Sequence, residues 1–374
     1  MQPHEPQQAG PPVDPYTPQR AGWAQAQDAA AAPYGSAQYP PVPNPYPGVP
    51  YPTGPYPTAP YGPAPYGGAP MPPAVPPQQQ PRGLSPFGMP ARHSWEIPLL
   101  IVVVMLTVVT FMFAILFAAL GTINEYILLF LAAPLLVWLV RGQTFASLRV
   151  NGVKMSPTQF PEGYRMVVEA AARFGMKKVP DAYVLLGNGQ INAFASGHGF
   201  RRFVAVYSDL FEVGGTAREP DALAFIIGHE VGHIAAGHVS YWRQLGMYLV
   251  PFLPILGSSL IRAQEYTADN HGYCYRHLGA PTAMGTLAAG KYMNTLVGYD
   301  EMADRAATEK GFFVWIVNAM SSHPVLTWRM WALRDRSRHG NMFLRPSRPA
   351  GAPPAGNYPG SYGEVPALPP KPVP

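Results

Sequence analysis

Two histidines four residues apart, with a glutamate directly after the first, are spaced for metal chemistry: His229, Glu230, Val231, Gly232, His233. On a helix, four residues at about 100° each return the second imidazole to nearly the same face one turn on, so both rings can reach one metal. Glu230 then lies to the side of the pair, where it can take a proton from a metal-bound water. A third histidine in the pattern H-E-x-x-H-x-x-G-x-x-H would need Gly at 236 and His at 239, but those positions are Ala236 and Val239. His238 stands five residues after His233 and, on a continuing helix, about 180° from His229; it reads as a surface or packing histidine. The third ligand has to come from elsewhere.

A source lies thirty residues on, in Arg262-Ala263-Gln264-Glu265-Tyr266-Thr267-Ala268-Asp269. Glu265 and Asp269 are spaced i, i+4, so on a helix both carboxylates face one way. One can bind zinc while the other orients a ligating imidazole through its free ring N–H. The gap from the first helix is long enough for the chain to turn and come back antiparallel.

With these motifs, the Ser322-His323-Pro324 stretch followed by Arg329, and Asn192-Ala193-Phe194-Ala195 upstream, the sequence resembles the gluzincin family that contains HtpX-like membrane proteases and the CAAX prenyl proteases. The resemblance covers roughly residues 159–336, with four motifs in the expected order. It implies that His229, His233 and Glu265 hold one zinc ion per chain, that Glu230 is the general base, and that Asp269 stands behind a ligating histidine. It implies further that His323 and Arg329 lie near the tetrahedral intermediate or organise its surroundings. In this chemistry zinc with three protein ligands keeps a position open for water and polarises the scissile carbonyl, and His323 could supply the donor the oxyanion needs. An arginine at 329 could equally pair with a structural carboxylate.

The elements that must position these residues are legible in outline. Residues 181–186, 192–195 and 203–207 read as short strands, with turns at 187–189 and 196–199. A small sheet beside the metal helix would offer an edge to an extended peptide, with Asn192 the residue singled out for substrate contact. Helices are expected over 161–174, from Glu219-Pro220-Asp221 into the metal motif, over 283–289 and over 325–333. The fold class expected is α+β: a mainly helical zincin-type protease domain (155–344) with a small sheet. A two-helix transmembrane hairpin (95–141) and a linker (142–154) precede it.

Composition divides the rest. Residues 1–94 are dominated by Pro, Tyr, Gly, Ala and Gln, with Tyr46, Tyr51, Tyr56, Tyr61 and Tyr66 recurring every five residues. Such a segment is expected to be disordered with polyproline II character, either docking partners or acting as a spacer, and a shorter Pro-rich tail (345–374) closes the chain. Residues 97–120 and 123–140 are apolar enough to cross a bilayer of about 30 Å, the second only just. Arg82, Arg92, Arg141, Arg149 and Lys154 flank the pair and no Lys or Arg lies between them, which places both tails and the protease domain in the cytoplasm. One cysteine, Cys274, fits a reducing compartment.

A further apolar run, 245–261, is nearly long enough for one crossing. One crossing would put Glu265 across the bilayer from His229, so a shared zinc requires this run to be buried core or a flap against the membrane surface. The net charge of +5 comes with no basic-aromatic nucleic-acid motif and reads as membrane-proximal charge. Together these features point to a membrane-anchored zinc metalloendopeptidase acting on polypeptides; the resemblance adds unfolded membrane proteins as substrates in quality control. Two rivals remain: an interaction protein whose Pro/Tyr tail recruits partners beside a regulatory or inactive zinc domain, and a narrow-specificity processing protease.

Overall fold

The computed structural model describes residues 83–214 and 219–347. The expected tails therefore lie mainly outside the described residues, apart from the stretch 83–94. That stretch is packed: Leu84 is fully buried, and Arg173, Asn270 and Arg336 donate to the backbone carbonyls of Pro86, Gly88, Ala91 and Leu84. The stretch 83–94, expected as part of the tail, is packed against the rest of the described residues. The buried Leu84 and His93, with side-chain bonds to the backbone, hold a segment whose local sequence favours no element.

The helix α1 (Glu96–Ala119) is long and apolar enough to cross a membrane, and most of its large side chains face outward. The second apolar segment is not one straight span. Helices α2 (Glu125–Leu131) and α3 (Ala133–Asn151) meet at a 58° bend, where Pro134 lacks the N–H that would continue the ladder from α2. Nor does α3 stop at 141. It runs on through most of the expected linker, and Phe145 and Leu148 lay one of its faces on the sheet, against Tyr183, Phe203 and Ala205.

The sheet has strands β1 (Val153–Lys154), β2 (Asp181–Leu185), β3 (Ala193–His198) and β4 (Arg201–Tyr207), in the spatial order β1-β2-β4-β3. β2 and β4 pair in parallel and the two outer pairs are antiparallel, so β3 is an edge. Residues 196–198, expected as a turn, extend β3 instead; the reversal falls on Gly199, whose φ of +55° suits a residue without a Cβ. On the other face of the sheet, α4 (Pro161–Arg173) and the metal helix α6 (Pro220–Ala235) build the main core. Met166, Val167 and Ala170 meet Leu223, Phe225, Ile227 and the valines of β2 and β4 there. A short helix, α5 (Ser208–Gly214), follows β4.

The run 245–261 is not one continuous helix. It forms the end of α7 (Tyr241–Gly246), a single 3-10 turn at Val250–Phe252 and the start of α8 (Pro254–Arg276). Met247 and Leu260 join Leu99 and Val103 of α1 in one buried cluster. α8 then returns alongside α6, and the two backbones approach closely. A Cβ at Gly232 would stand 2.4 Å from the Cβ of His271, and one at Gly228 would stand 2.8 Å from the Tyr275 ring. The glycine inside the metal motif is therefore a packing requirement. Four further α-helices follow among the described residues: α9 (Ala280–Met293), α10 (Tyr299–Thr308), α11 (Phe312–Met320) and α12 (Leu326–Arg334).

Candidate metal centre and active site

The close crossing of α6 and α8 brings His229, His233 and Glu265 together, with one ligand atom from each lying within 4.8 Å of the others. The two imidazole Nε2 atoms are 3.1 Å apart, and each lies 3.5 Å from a Glu265 carboxylate oxygen. A tetrahedral zinc with bonds of about 2.0–2.1 Å has ligand atoms about 3.3 Å apart along each edge, so the three donors fit that ion. The donor set, two imidazoles and a carboxylate with a side left open, fits it chemically as well.

What lies behind each histidine fixes which nitrogen faces the cluster. His229 gives Nδ1 to Asp269 at 2.9 Å, leaving Nε2 for the cluster. Asp269 in turn accepts a two-pronged hydrogen bond from Arg329, Nε at 2.9 Å and Nη2 at 2.5 Å. Arg329 thus takes the alternative left open by the sequence, pairing with a carboxylate, while still lining the cleft. Burial disfavours charge on the His229 ring, but the Asp269 and Glu265 carboxylates outweigh it and hold the pKa at about 10. The spot attracts positive charge.

His233 is backed differently. Its Nδ1 lies 2.8 Å from Nδ1 of His238, whose Nε2 lies 3.2 Å from Oε1 of Glu96, in the first turn of α1. Glu96 is fully buried; Arg92 and Arg243 donate to it, and so does the Thr267 hydroxyl. A carboxylate facing two guanidinium groups accepts, so His238 donates from Nε2; burial pushes the His238 pKa down and keeps the ring neutral. Its Nδ1 is then an acceptor, His233 donates to it, and Nε2 of His233 is left for the cluster.

His238 is therefore neither a surface nor a mere packing residue. The helical-wheel argument that set it aside assumed a continuing helix, but α6 ends at Ala235. Gly237, at φ +76°, turns the chain back, and the His238 amide bonds the His233 carbonyl at 2.9 Å. The sequence signal is Gly-His directly after an H-E-x-x-H helix. Glu96 also carried a signal: a lone acidic residue at the mouth of a long apolar segment.

The cleft over the cluster has a volume of about 130 Å³ and is lined by Asn192, Glu230, His323 and Arg329 together with apolar side chains. Glu230 is buried beside the cluster and hydrogen-bonds the Ala195 backbone amide of β3; burial raises its pKa to about 7. Nε2 of His323, a largely exposed side chain, lies 3.6 Å from Glu265. Asn192 sits immediately before β3, and its carbonyl is held by the Tyr207 amide, so its side chain is what remains for the cleft. All eight residues singled out from the sequence come to one cleft or stand directly behind it.

The model of peptidase family M48 matches residues 157–259 and 243–337 of this chain. No curated protein matches it. Among solved structures it is similar to one titled "Crystal Structure of S. mikatae Ste24p", at 16% identity and a TM-score of 0.34. That alignment covers 62% of this chain and 66% of the other, just under two thirds of its length.

Proposed function

The chain belongs to peptidase family M48, a metallopeptidase family, and from that premise we propose that it is a membrane-anchored zinc metalloendopeptidase that hydrolyses polypeptide chains. The observation that carries the reading is the convergence of His229, His233 and Glu265, with Glu230 beside them in a cleft. Those three side chains would hold one zinc ion. Zinc supplies Lewis acidity there, toward water and toward a peptide carbonyl oxygen.

The protein's own groups do the rest. Glu230 takes a proton from water in the cleft and returns it to the leaving nitrogen, and its near-neutral pKa suits both transfers. Asp269 and Arg329 orient His229. His323 stands on the open side of the cluster as the donor for negative charge developing on the carbonyl oxygen. Asn192 and the edge strand β3 hold an extended peptide alongside by main-chain pairing. With α1 and the bent α2–α3 pair as two spans, the arginines at their outer ends support a cytoplasmic 155–344 domain. Unfolded membrane proteins are the substrates we infer, with a role in quality control; the tails at 1–94 and 345–374 are left for partners.

The test is metal analysis combined with peptide cleavage on the full-length protein and Glu230→Gln. About one zinc per chain in both proteins, with cleavage in the parent alone, is expected. Full cleavage by Glu230→Gln, or a parent protein that purifies active and free of zinc, would overturn the reading.

A further inference from the structure

Among the described helices longer than seven residues, α11 alone buries no residue. Its sequence, Phe312-Phe313-Val314-Trp315-Ile316-Val317-Asn318-Ala319-Met320, has one polar side chain. Phe312 is 69% exposed, Phe313 77% and Trp315 52%. A soluble protein rarely shows so continuous an apolar surface to water. Nor is α11 loosely held. Arg262 of α8 donates to the carbonyls of Ala319 and Ser321, and the Ser258 hydroxyl donates to that of Met320, so α8 caps the end of α11. The helix is fixed in place with its apolar side chains turned outward.

Its level along α1 says what it faces. α8 runs antiparallel to α1: Thr267 touches Glu96 at the start of α1, while Leu260 packs with Leu99 and Val103 further along. From Thr267 to Ser258 is nine residues, about 13 Å of helix, which brings the end of α11 level with the third turn of α1. There α1 presents exposed Ile101, Val102 and Met105, and on α8 Ile255, one turn before Ser258, is exposed too. The end of α11 thus lies at a depth where α1 and α8 also expose apolar side chains.

We propose that α11 and the start of α8 are immersed in the lipid bilayer beside α1, as a membrane-docking surface of the catalytic domain. The inference rests on α1 being a membrane span. Glu265, two residues from Thr267, is then level with the start of α1, and His323, three residues after α11, opens the cleft at the lipid surface. Substrate chains enter where they leave the membrane.

The experiment uses the full-length protein in phosphatidylcholine–phosphatidylglycerol nanodiscs, in a Cys274→Ala background. A spin label is placed singly through Phe313→Cys, Ile101→Cys or Glu309→Cys. Oxygen should reach the labels at 313 and 101 in preference to a water-soluble nickel complex, with the reverse at 309. Water-like accessibility at 313 with lipid-like accessibility at 101 would overturn the proposal and leave the span standing; water-like accessibility at 101 removes the span itself. Dipolar broadening between labels at 313 would assign the surface to a second copy and also overturn it. In addition, Phe312→Asp/Phe313→Asp should cleave a soluble peptide normally and a peptide lipid-anchored in the same nanodisc about tenfold more slowly, because carboxylates resist entering the bilayer. Equal relative rates on the two peptides would count against the proposal.

Discussion

The two histidines of the metal cluster are one helical turn apart, yet they are supported from opposite parts of the molecule. His229 leans on Asp269 and Arg329, both within the catalytic domain and joined by a short two-pronged ion pair. His233 leans on His238 and, through it, on Glu96 of the apolar helix α1, where Arg92, Arg243 and Thr267 also converge. The first support is a charge placed directly against the ring, in a rigid fork. The second is a neutral relay ending on a buried carboxylate that the apolar helix α1 brings in. One histidine is thus oriented from within the 155–344 domain and the other by how that domain sits on α1. α1 bears on His233 through this relay, whereas it reaches His229 only through its packing on α8.

The largest effects should come from the residues both supports serve. His229→Ala, His233→Ala and Glu265→Ala should each lose zinc and cleavage together, read by elemental analysis and a peptide assay. Glu230→Gln should keep its zinc while cleavage falls roughly a hundredfold to ten-thousandfold, the range expected for a lost general base. Zinc retained in full in Glu265→Ala would remove Glu265 from the ligand set and leave α8 in the site only through Asp269.

The difference between the supports also explains what could be read from the sequence. Glu265 and Asp269 lie i, i+4 on α8, and their partners lie i, i+4 on α6, so a periodicity argument reaches all four. Strands β2 and β4 and helix α4 were legible for the same reason, since local pattern and burial agree there. The second support depends on a chain reversal at Gly237 and on contacts from Glu96 to Arg243, 147 residues apart, which no local pattern encodes. α11 escaped because an apolar stretch of nine residues is too short for a span and shows no amphipathic stripe. The bend between α2 and α3 is the converse case. Pro134 was in plain view inside an apolar segment that hydropathy alone reads as continuous.

Breaking the first support should cost more than breaking the second. Asp269→Asn leaves Arg329 a buried cation without its carboxylate, a change worth about 3–5 kcal/mol in stability. It should also weaken zinc binding roughly 10- to 100-fold. His238 offers a finer probe. In His238→Asn the amide oxygen can stand near the place of Nδ1 and still accept from His233. In His238→Gln it reaches toward the place of Nε2 and leaves the His233 N–H without a partner. Competition with a zinc chelator should therefore show His238→Asn close to the parent and His238→Gln weaker by about tenfold. Equal weakening in the two variants would mean that His238 only fills space.

The smallest effect expected is at the outer end of the second support, and it decides how the anchor acts. Arg92 donates to Glu96 at 2.6 Å, as Arg243 does at 2.7 Å, but the Arg92 side chain is 41% exposed and that of Arg243 only 10%. A half-exposed pair of this kind contributes about 0–1 kcal/mol, because water and salt screen it. Arg92→Met removes this bond and the one from Arg92 to the Ala236 carbonyl, but Glu96 keeps Arg243, Thr267 and His238, so the relay to His233 stays intact. Thermal unfolding should shift little and zinc affinity should not change. Arg243→Met, which strips a buried carboxylate of its enclosed partner, should lower the unfolding temperature clearly. If Arg92→Met instead weakened zinc binding as much as His238→Gln, the anchor would be acting through the net charge at the start of α1. The hydrogen-bond chain would then be incidental, and the contrast between the two supports would reduce to a difference in field strength.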